Sequence, residues 1–283
     1  MKITVRRAAT FAAVVFGVGG LGMVWMDRQL PAVANPELWP APARPTALLD
    51  PALEARVEAR LAAMTLTQKV GQTVQADIGS IDAADLAKWP LGSILVGGDG
   101  GPGRDDRAPV SEWLALTQQL HAAAAAQGGP GLLVGVDAVH GHNNLVGAVI
   151  FPHNIGLGAA REPELAGRIA SATAESMAAT GMNWNFAPTL AVPRDARWGR
   201  TYEGFGGDPA LVASYAGPVV RGYQGDPGQP VAPDRVAATA KHFLGDGGTD
   251  QGTDQGDTRL GEAELIEVHA QAYRAAIDAG VLT

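Results

Sequence analysis

Leu132-Leu133-Val134-Gly135-Val136-Asp137-Ala138-Val139-His140-Gly141-His142-Asn143-Asn144 decides how the rest of the chain is read. Residues 132–136 form an uncharged run, short and apolar, as expected of a strand covered on both faces. The run then breaks into Asp, His and Asn within a few residues. In parallel β/α proteins the chemistry sits at the carboxyl ends of the strands, which is where this polar cluster falls.

Moving outward, similar β-rich runs occur near residues 73–78, 93–96, 183–187 and 236–241. Helical stretches at 110–127, 163–180, 209–223 and 262–279 lie between or after them, and Asp50-Pro51 opens an earlier helix reaching about Met64. Glu162-Pro163 and Asp208-Pro209 are further helix starts, each an acid followed by proline. Strands alternating with helices predict a parallel sheet. Val281-Leu282-Thr283, after a helix closed by Gly280, reads as the beginning of a sixth strand. A doubly wound sheet could finish at six strands. Its dinucleotide-binding form requires a G-x-G-x-x-G turn opening a helix after the first strand, and none is present. The expectation is an α/β fold, a (β/α)8 TIM-type barrel truncated at its C-terminal side after about five strands.

Composition narrows the function classes. The chain has 283 residues, 21 Lys+Arg against 29 Asp+Glu, a net charge of −8, 46% apolar residues and no cysteine. That apolar fraction is enough for a buried core and argues against a disordered chain. An acidic balance argues against general nucleic-acid binding, which needs a basic surface. The lack of cysteine removes disulfides, thiolate zinc sites and a cysteine nucleophile. Lysine is scarce, present only at Lys2, Lys69, Lys88 and Lys241.

At the N-terminus, Lys2, Arg6 and Arg7 precede an uncharged run over 8–26, and Ala32-Val33-Ala34 gives an A-x-A pattern. That order reads as an export signal over residues 1–34, with an uncleaved N-terminal membrane anchor as the alternative. The protein is therefore expected to be exported, periplasmic or secreted. Residues 35–49, with Pro36, Pro40, Pro42 and Pro45, read as a linker to a folded region at 50–283.

Four polar clusters follow the predicted strands. They are Gly97-Gly98-Asp99-Gly100-Gly101, the Asp137 cluster, Pro193-Arg194-Asp195-Ala196-Arg197-Trp198-Gly199-Arg200-Thr201-Tyr202-Glu203, and Lys241-His242-Phe243-Leu244-Gly245-Asp246-Gly247-Gly248. Together they put Asp, Glu, Arg, Lys and His on one rim. Ring hydroxyls both donate and accept hydrogen bonds, so carboxylates beside cationic donors suit a polyhydroxyl ligand. His140 and His142 lack an H-E-x-x-H arrangement, and the Thr-Asp-Gln-Gly repeat over 249–256 does not match a calcium loop. No metal and no cofactor is expected. Trp184, inside a strand, is expected in the core, and Trp198 is expected to brace the 197–200 turn.

On these motifs the sequence resembles glycoside hydrolase family 3, in particular its exo-β-glucosidases and β-glucan glucohydrolases. The resemblance runs from about Leu48 onward through the segments at 64–72, 135–141, 150–158, 193–200 and 241–247. It implies a (β/α)8-type barrel and release of glucosyl units from non-reducing ends with retention. It implies a glucosyl subsite in which Asp137 accepts from ring hydroxyls while Arg200, Lys241 and His242 hold their neighbours. Glu203 and Asp246 would orient the basic residues or complete the pocket, and Gly98 would border it through its backbone. The partner implied is a β-glucoside or β-glucan oligosaccharide.

Retaining hydrolysis needs two carboxyl groups about 5–5.5 Å apart. The family places its nucleophile in a Ser/Gly-Asp-Trp segment and its acid/base in a second domain, and this sequence contains neither. No catalytic residue is therefore assigned. The chain is expected to hold the subsite without the catalytic carboxylates, which belong to a missing C-terminal part of the same polypeptide, and to be inactive alone. The alternative is a non-catalytic sugar-binding domain or pseudoenzyme. Leu244 and Asp246 stand where the family's β-N-acetylhexosaminidases carry Pro and His, which argues against that branch.

Overall fold

The computed structural model describes residues 35–40, 50–98, 100–105 and 107–283. The expected signal segment and residues 41–49 of the expected linker lie outside the described residues. Five parallel strands form one sheet in sequence order: β1 (Gln75–Asp77), β2 (Ser93–Leu95), β3 (Leu133–Val136), β4 (Trp184–Asn185) and β5 (Ala237–Ala238). Ala76 sits opposite Ile94, Ile94 opposite Val134, Val136 opposite Asn185, and Asn185 opposite Ala238. A doubly wound sheet reverses direction at a switch point, as in the order 3-2-1-4-5-6. Unreversed order is the arrangement of a sheet that rolls into a barrel, so the fold is of the TIM-barrel type. Thr283 donates its N–H to Ala238 O (3.2 Å) and accepts from Ala240 N–H (3.0 Å), so it pairs along β5.

The helices start where short polar side chains satisfy the free N–H groups of a first turn. Asp50 accepts from Ala52 N–H (2.9 Å) ahead of α1 (Pro51–Ala63). Capping boxes open two helices the sequence reading leaves out: Thr65 with Gln68 for α2 (Leu66–Gly71), and Asp82 with Asp85 for α3 (Ala83–Lys88). Then come α4 (Val110–Ala125), α5 (Asn154–Ala160), α6 (Pro163–Ala178) and α7 (Pro209–Gln224). Of the two later acid-proline starts, Asp208 caps α7 through Ala210 N–H (2.9 Å), whereas Glu162 makes no side-chain cap bond. The stretch expected as one helix over 262–279 is α8 (Glu262–Glu264), a π-helical segment Leu265–Ala270, and α9 (Gln271–Asp278). Among the described residues no helix is long and apolar enough to cross a membrane.

Ile94, Val134, Val136 and Ala238 from the strands pack in one core with Met177 of α6 and Tyr215, Val220 and Tyr223 of α7. Burying one such aliphatic side chain stabilises by about 1.5–3 kcal/mol. Helices α6 and α7 approach closely because both are small at the crossing: a Cβ on Gly222 would stand 2.3 Å from Gly167 O. Polar side chains then tie the strands together near their ends. Asn183 donates to Leu132 O (3.0 Å) and accepts from Val134 N–H (2.8 Å). Buried Asn185 clamps Ala138 from both sides, accepting from its N–H and donating to its carbonyl, each at 3.0 Å. That clamp fixes the backbone directly after Asp137.

Candidate functional site

Three carboxyl-end segments converge. Asp137 leaves β3 and is held from behind by the Asn185 clamp. Lys241 follows β5, and its backbone continues the β4–β5 pairing outward: Leu190 N–H donates to Lys241 O (2.6 Å) and Lys241 N–H to Pro188 O (3.1 Å). Lys241 Nζ donates to Asp137 Oδ1 at 2.5 Å, an ion pair across two strands. The Lys241 ammonium is nearly buried while the Asp137 carboxylate stays 57% exposed, so the acid has oxygen surface left for a ligand. The Lys241–His242 peptide bond is cis.

Arg200 comes from the long loop after β4. Trp198, buried in that loop, donates to Asp254 Oδ1 (3.0 Å) and accepts Thr201 Oγ1–H on its carbonyl (2.7 Å), which fixes the turn into Arg200. Asn154 of α5 donates to Glu203 O (2.8 Å) and anchors the following turn. The Arg200 guanidinium grips Glu203 with Nε on Oε1 (2.7 Å) and Nη2 on Oε2 (2.8 Å). Arg200 Nη2 also lies 2.8 Å from His242 Nε2. A guanidinium only donates, so His242 Nε2 accepts and the ring proton sits on Nδ1. His242 Nδ1 lies 2.8 Å from Asp246 Oδ2, close but too poorly angled for an aligned hydrogen bond; both atoms are buried without one. Asp246, His242, Arg200 and Glu203 thus form one chain of contacts behind Asp137 and Lys241.

The charges are tuned by this packing. Burial pushes the His242 ring below its usual pKa, and the Arg200 and Lys241 cations reinforce it against the opposing pull of Asp246 and Glu203. Burial alone would raise the Glu203 carboxyl, but the Arg200 hydrogen bonds and charge, with Lys241 and His242, hold it below the usual carboxylate range. The Arg200 guanidinium is held above its usual value, first by its hydrogen bonds to Glu203.

A cavity of about 200 Å³ opens between Asp137, Arg200, Glu203 and Lys241 on one side and His140, His153 and Tyr202 on the other. The His140 and His153 rings lie 4.0 Å apart by centroids, and Tyr202 stands edge-on to His153 at 4.6 Å. His242 and Asp246 lie behind Arg200 and do not line this cavity. Gly98 lies in a neighbouring cleft that also reaches Asp137, with its N–H donated to Asn144 Oδ1 (3.2 Å). Arg197 pairs with the adjacent Asp195 on the surface (2.5 Å). Trp184 is half-buried beside Phe186, and its Nε1 donates to Thr239 Oγ1 (2.9 Å).

No group of three or more His, Cys, Asp or Glu side chains is placed to hold a metal ion among the described residues. Asp250 and Asp257 of the repeat loop instead share Arg259, at 3.1 and 3.0 Å. The sequence reading misses Asn154 and Asn185, whose partners are backbone groups 49 and 47 residues away. It also misses the wall of His153 and Tyr202, because nothing local marks rings that meet only in the fold.

The family model for the glycosyl hydrolase family 3 N terminal domain matches residues 65–283. The exo-1,3/1,4-β-glucanase of a Pseudoalteromonas species is 47% identical with a TM-score of 0.79, over 82% of this chain and 30% of that one. A lysosomal β-glucosidase of Dictyostelium discoideum is 31% identical over 78% of this chain and 29% of that protein. A periplasmic β-glucosidase of Salmonella typhimurium is 26% identical over 82% of this chain and 29% of that protein. The chain therefore spans under a third of the length of each of these relatives.

Proposed function

Because the chain belongs to glycosyl hydrolase family 3, we propose that the cavity beside Asp137 is the glucosyl-binding subsite of a retaining, exo-acting β-glucosidase. In this reading the enzyme releases β-D-glucosyl units from the non-reducing ends of β-glucans or cello-oligosaccharides. The observation that carries it is the Asp137–Lys241 pair at the cavity edge, a nearly buried cation holding a half-open carboxylate. Asp137 accepts from ring hydroxyls, and Lys241 and Arg200 donate to the neighbouring oxygens. His242, Asp246 and Glu203 set the direction of the Arg200 guanidinium, and Gly98 borders the site from the next cleft. A hydroxyl of the wrong configuration leaves one of these charged groups unpaired, which is how such a site discriminates between sugars.

This part of the enzyme supplies binding without the catalytic pair. Asp137 is tied to Lys241, Glu203 to Arg200, and Asp246 faces His242. A general acid needs a raised pKa, and Glu203 is shifted the other way. The same observation favours a second reading, a sugar-binding domain without hydrolysis. Coding sequence beyond Thr283 separates the two: a Ser/Gly-Asp-Trp segment supports the enzyme. The basic start, apolar run and A-x-A pattern support export, as does the likeness to the periplasmic enzyme.

Calorimetric titration of glucose into the chain tests the subsite. The wild-type chain binds, and Asp137→Asn weakens binding by about 10–100-fold, the value of hydrogen bonds to a charged acceptor. Unchanged affinity in the variant contradicts the assignment.

A further inference from the structure

The glucosyl reading leaves the last helix of the chain without a part. Its π-helical segment Leu265–Ala270 runs directly into α9, and single π-turns inside α-helices occur frequently at functional sites. His269 and Tyr273 lie four residues apart across that junction, so they share one face of the helix. Both are buried.

That face abuts the turn after β5 that carries Asp246. At one end the Phe243 and Tyr273 rings meet edge-on, 5.6 Å apart by centroids. At the other, a Cβ on Gly248 would stand 2.5 Å from His269 Nε2, so the ring lies directly on the Gly248 backbone. Asp246 falls between these two contacts in sequence. The turn is also held from its other side. Arg194 N–H donates to Gly247 O (2.8 Å), and Gly247 has no room for a Cβ beside Val192 O. The loop after β4 and the α8–α9 helix thus grip the Asp246 turn between them.

The Tyr273 hydroxyl has no role in that packing. It is buried and makes no hydrogen bond, although phenylalanine would fill the same space without an idle polar group. Burial first, and then the Asp246 charge, raise the Tyr273 pKa and keep the phenol in its neutral, donating form. Asp246 Oδ2, the atom set against His242 Nδ1, is likewise buried without an aligned hydrogen bond. A phenol can donate to a carboxylate, and phenylalanine cannot.

We propose that Tyr273 is a positioning residue of the glucosyl subsite: its hydroxyl holds the Asp246 carboxylate against His242, and His242 thereby keeps the Arg200 guanidinium on the cavity. This inference rests on the glucosyl reading of the cavity beside Asp137, and its test separates the two. Tyr273→Phe removes the hydroxyl alone and keeps the ring against Phe243. Glucose titrated by calorimetry into the full chain should bind this variant about 3–10-fold more weakly, with the melting temperature unaltered. In an Asp246→Asn background the same substitution should change nothing further, because the hydroxyl acts through that carboxylate. A second readout needs no sugar. The His242 ring faces Arg200 and Lys241, which lower its pKa, and Asp246 and Glu203, which raise it. A carboxylate released from Nδ1 pulls less, so Tyr273→Phe should lower the titration midpoint of the His242 ring resonance, assigned by its loss in His242→Gln.

Unchanged glucose affinity in Tyr273→Phe overturns the inference and leaves the subsite standing, as does an affinity loss that persists in full on the Asp246→Asn background. A lower melting temperature with an unmoved His242 midpoint gives Tyr273 a packing role alone and overturns it too. Glucose that fails to bind the wild-type chain overturns the subsite; the His242 midpoint then decides by itself, a lowered one keeping the Tyr273–Asp246 link and an unmoved one removing it.

Discussion

Lys241 shows what a single residue position can and cannot announce. It is one of four lysines in the chain and follows a short apolar run, so its place at a strand end was legible. Its partner was not: Asp137 lies 104 residues earlier, and only the parallel pairing of β3, β4 and β5 brings them together. His242 is the converse case. Its motif marks it as a ligand contact, yet the structure engages Nε2 with Arg200 and turns Nδ1 toward Asp246.

His142 carries a prediction at the same scale. It is buried, donates from Nε2 to Thr180 Oγ1 (3.2 Å), and leaves Nδ1 without a partner. Burial lowers its pKa from 6.5 to about 4. The neutral ring is therefore favoured by folding, and its contribution is complete above pH 6.5. Below that the unfolded chain binds a proton the folded chain refuses, and stability falls until about pH 4. The loss approaches about 3 kcal/mol over that window, at 1.36 kcal/mol per pKa unit. Urea unfolding at pH 7, 5.5 and 4.5 measures it. His142→Gln should flatten this part of the slope, and a slope unchanged by the substitution contradicts the account.

Among the elements, helix starts were the most readable because their chemistry is local. Asp50-Pro51 and Asp208-Pro209 carry both the cap and the first helical residue in sequence. The boxes at Thr65/Gln68 and Asp82/Asp85 obey the same rule and could have been found by it. The π-helical segment Leu265–Ala270 could not, since one wider turn hardly disturbs the spacing of apolar residues along the surrounding helix. Close helix packing is also invisible in sequence until both partners are known. Gly222 is needed because α6 passes with Gly167 O where its Cβ would be. Gly222→Ala should destabilise by about 1–3 kcal/mol, the usual cost of overpacking a close contact. Denaturant titration measures this, and a neutral or stabilising result would show that α6 gives way easily.

For the whole molecule, the order β1-β2-β3-β4-β5 does what no single motif does. It lines up successive carboxyl ends, so that residues between 77 and 246 meet on one rim. Alternating strands and helices were enough to expect that rim, while the division into a small charged cavity and a larger open cleft came only from loop conformations. The same arrangement limits the chemistry. With Asp137, Glu203 and Asp246 each set against a basic side chain, the 283-residue chain alone should release no product from an aryl β-glucoside. A chromogenic assay giving turnover that scales with purified chain would overturn that expectation.

The central claim is the place of the sugar. A crystal structure of the chain soaked with glucose tests it most directly. The account predicts one pyranose in the 200 Å³ cavity, with ring hydroxyls on Asp137, Lys241 and Arg200. A pyranose bound elsewhere, with the Asp137–Lys241 pair untouched, would contradict it.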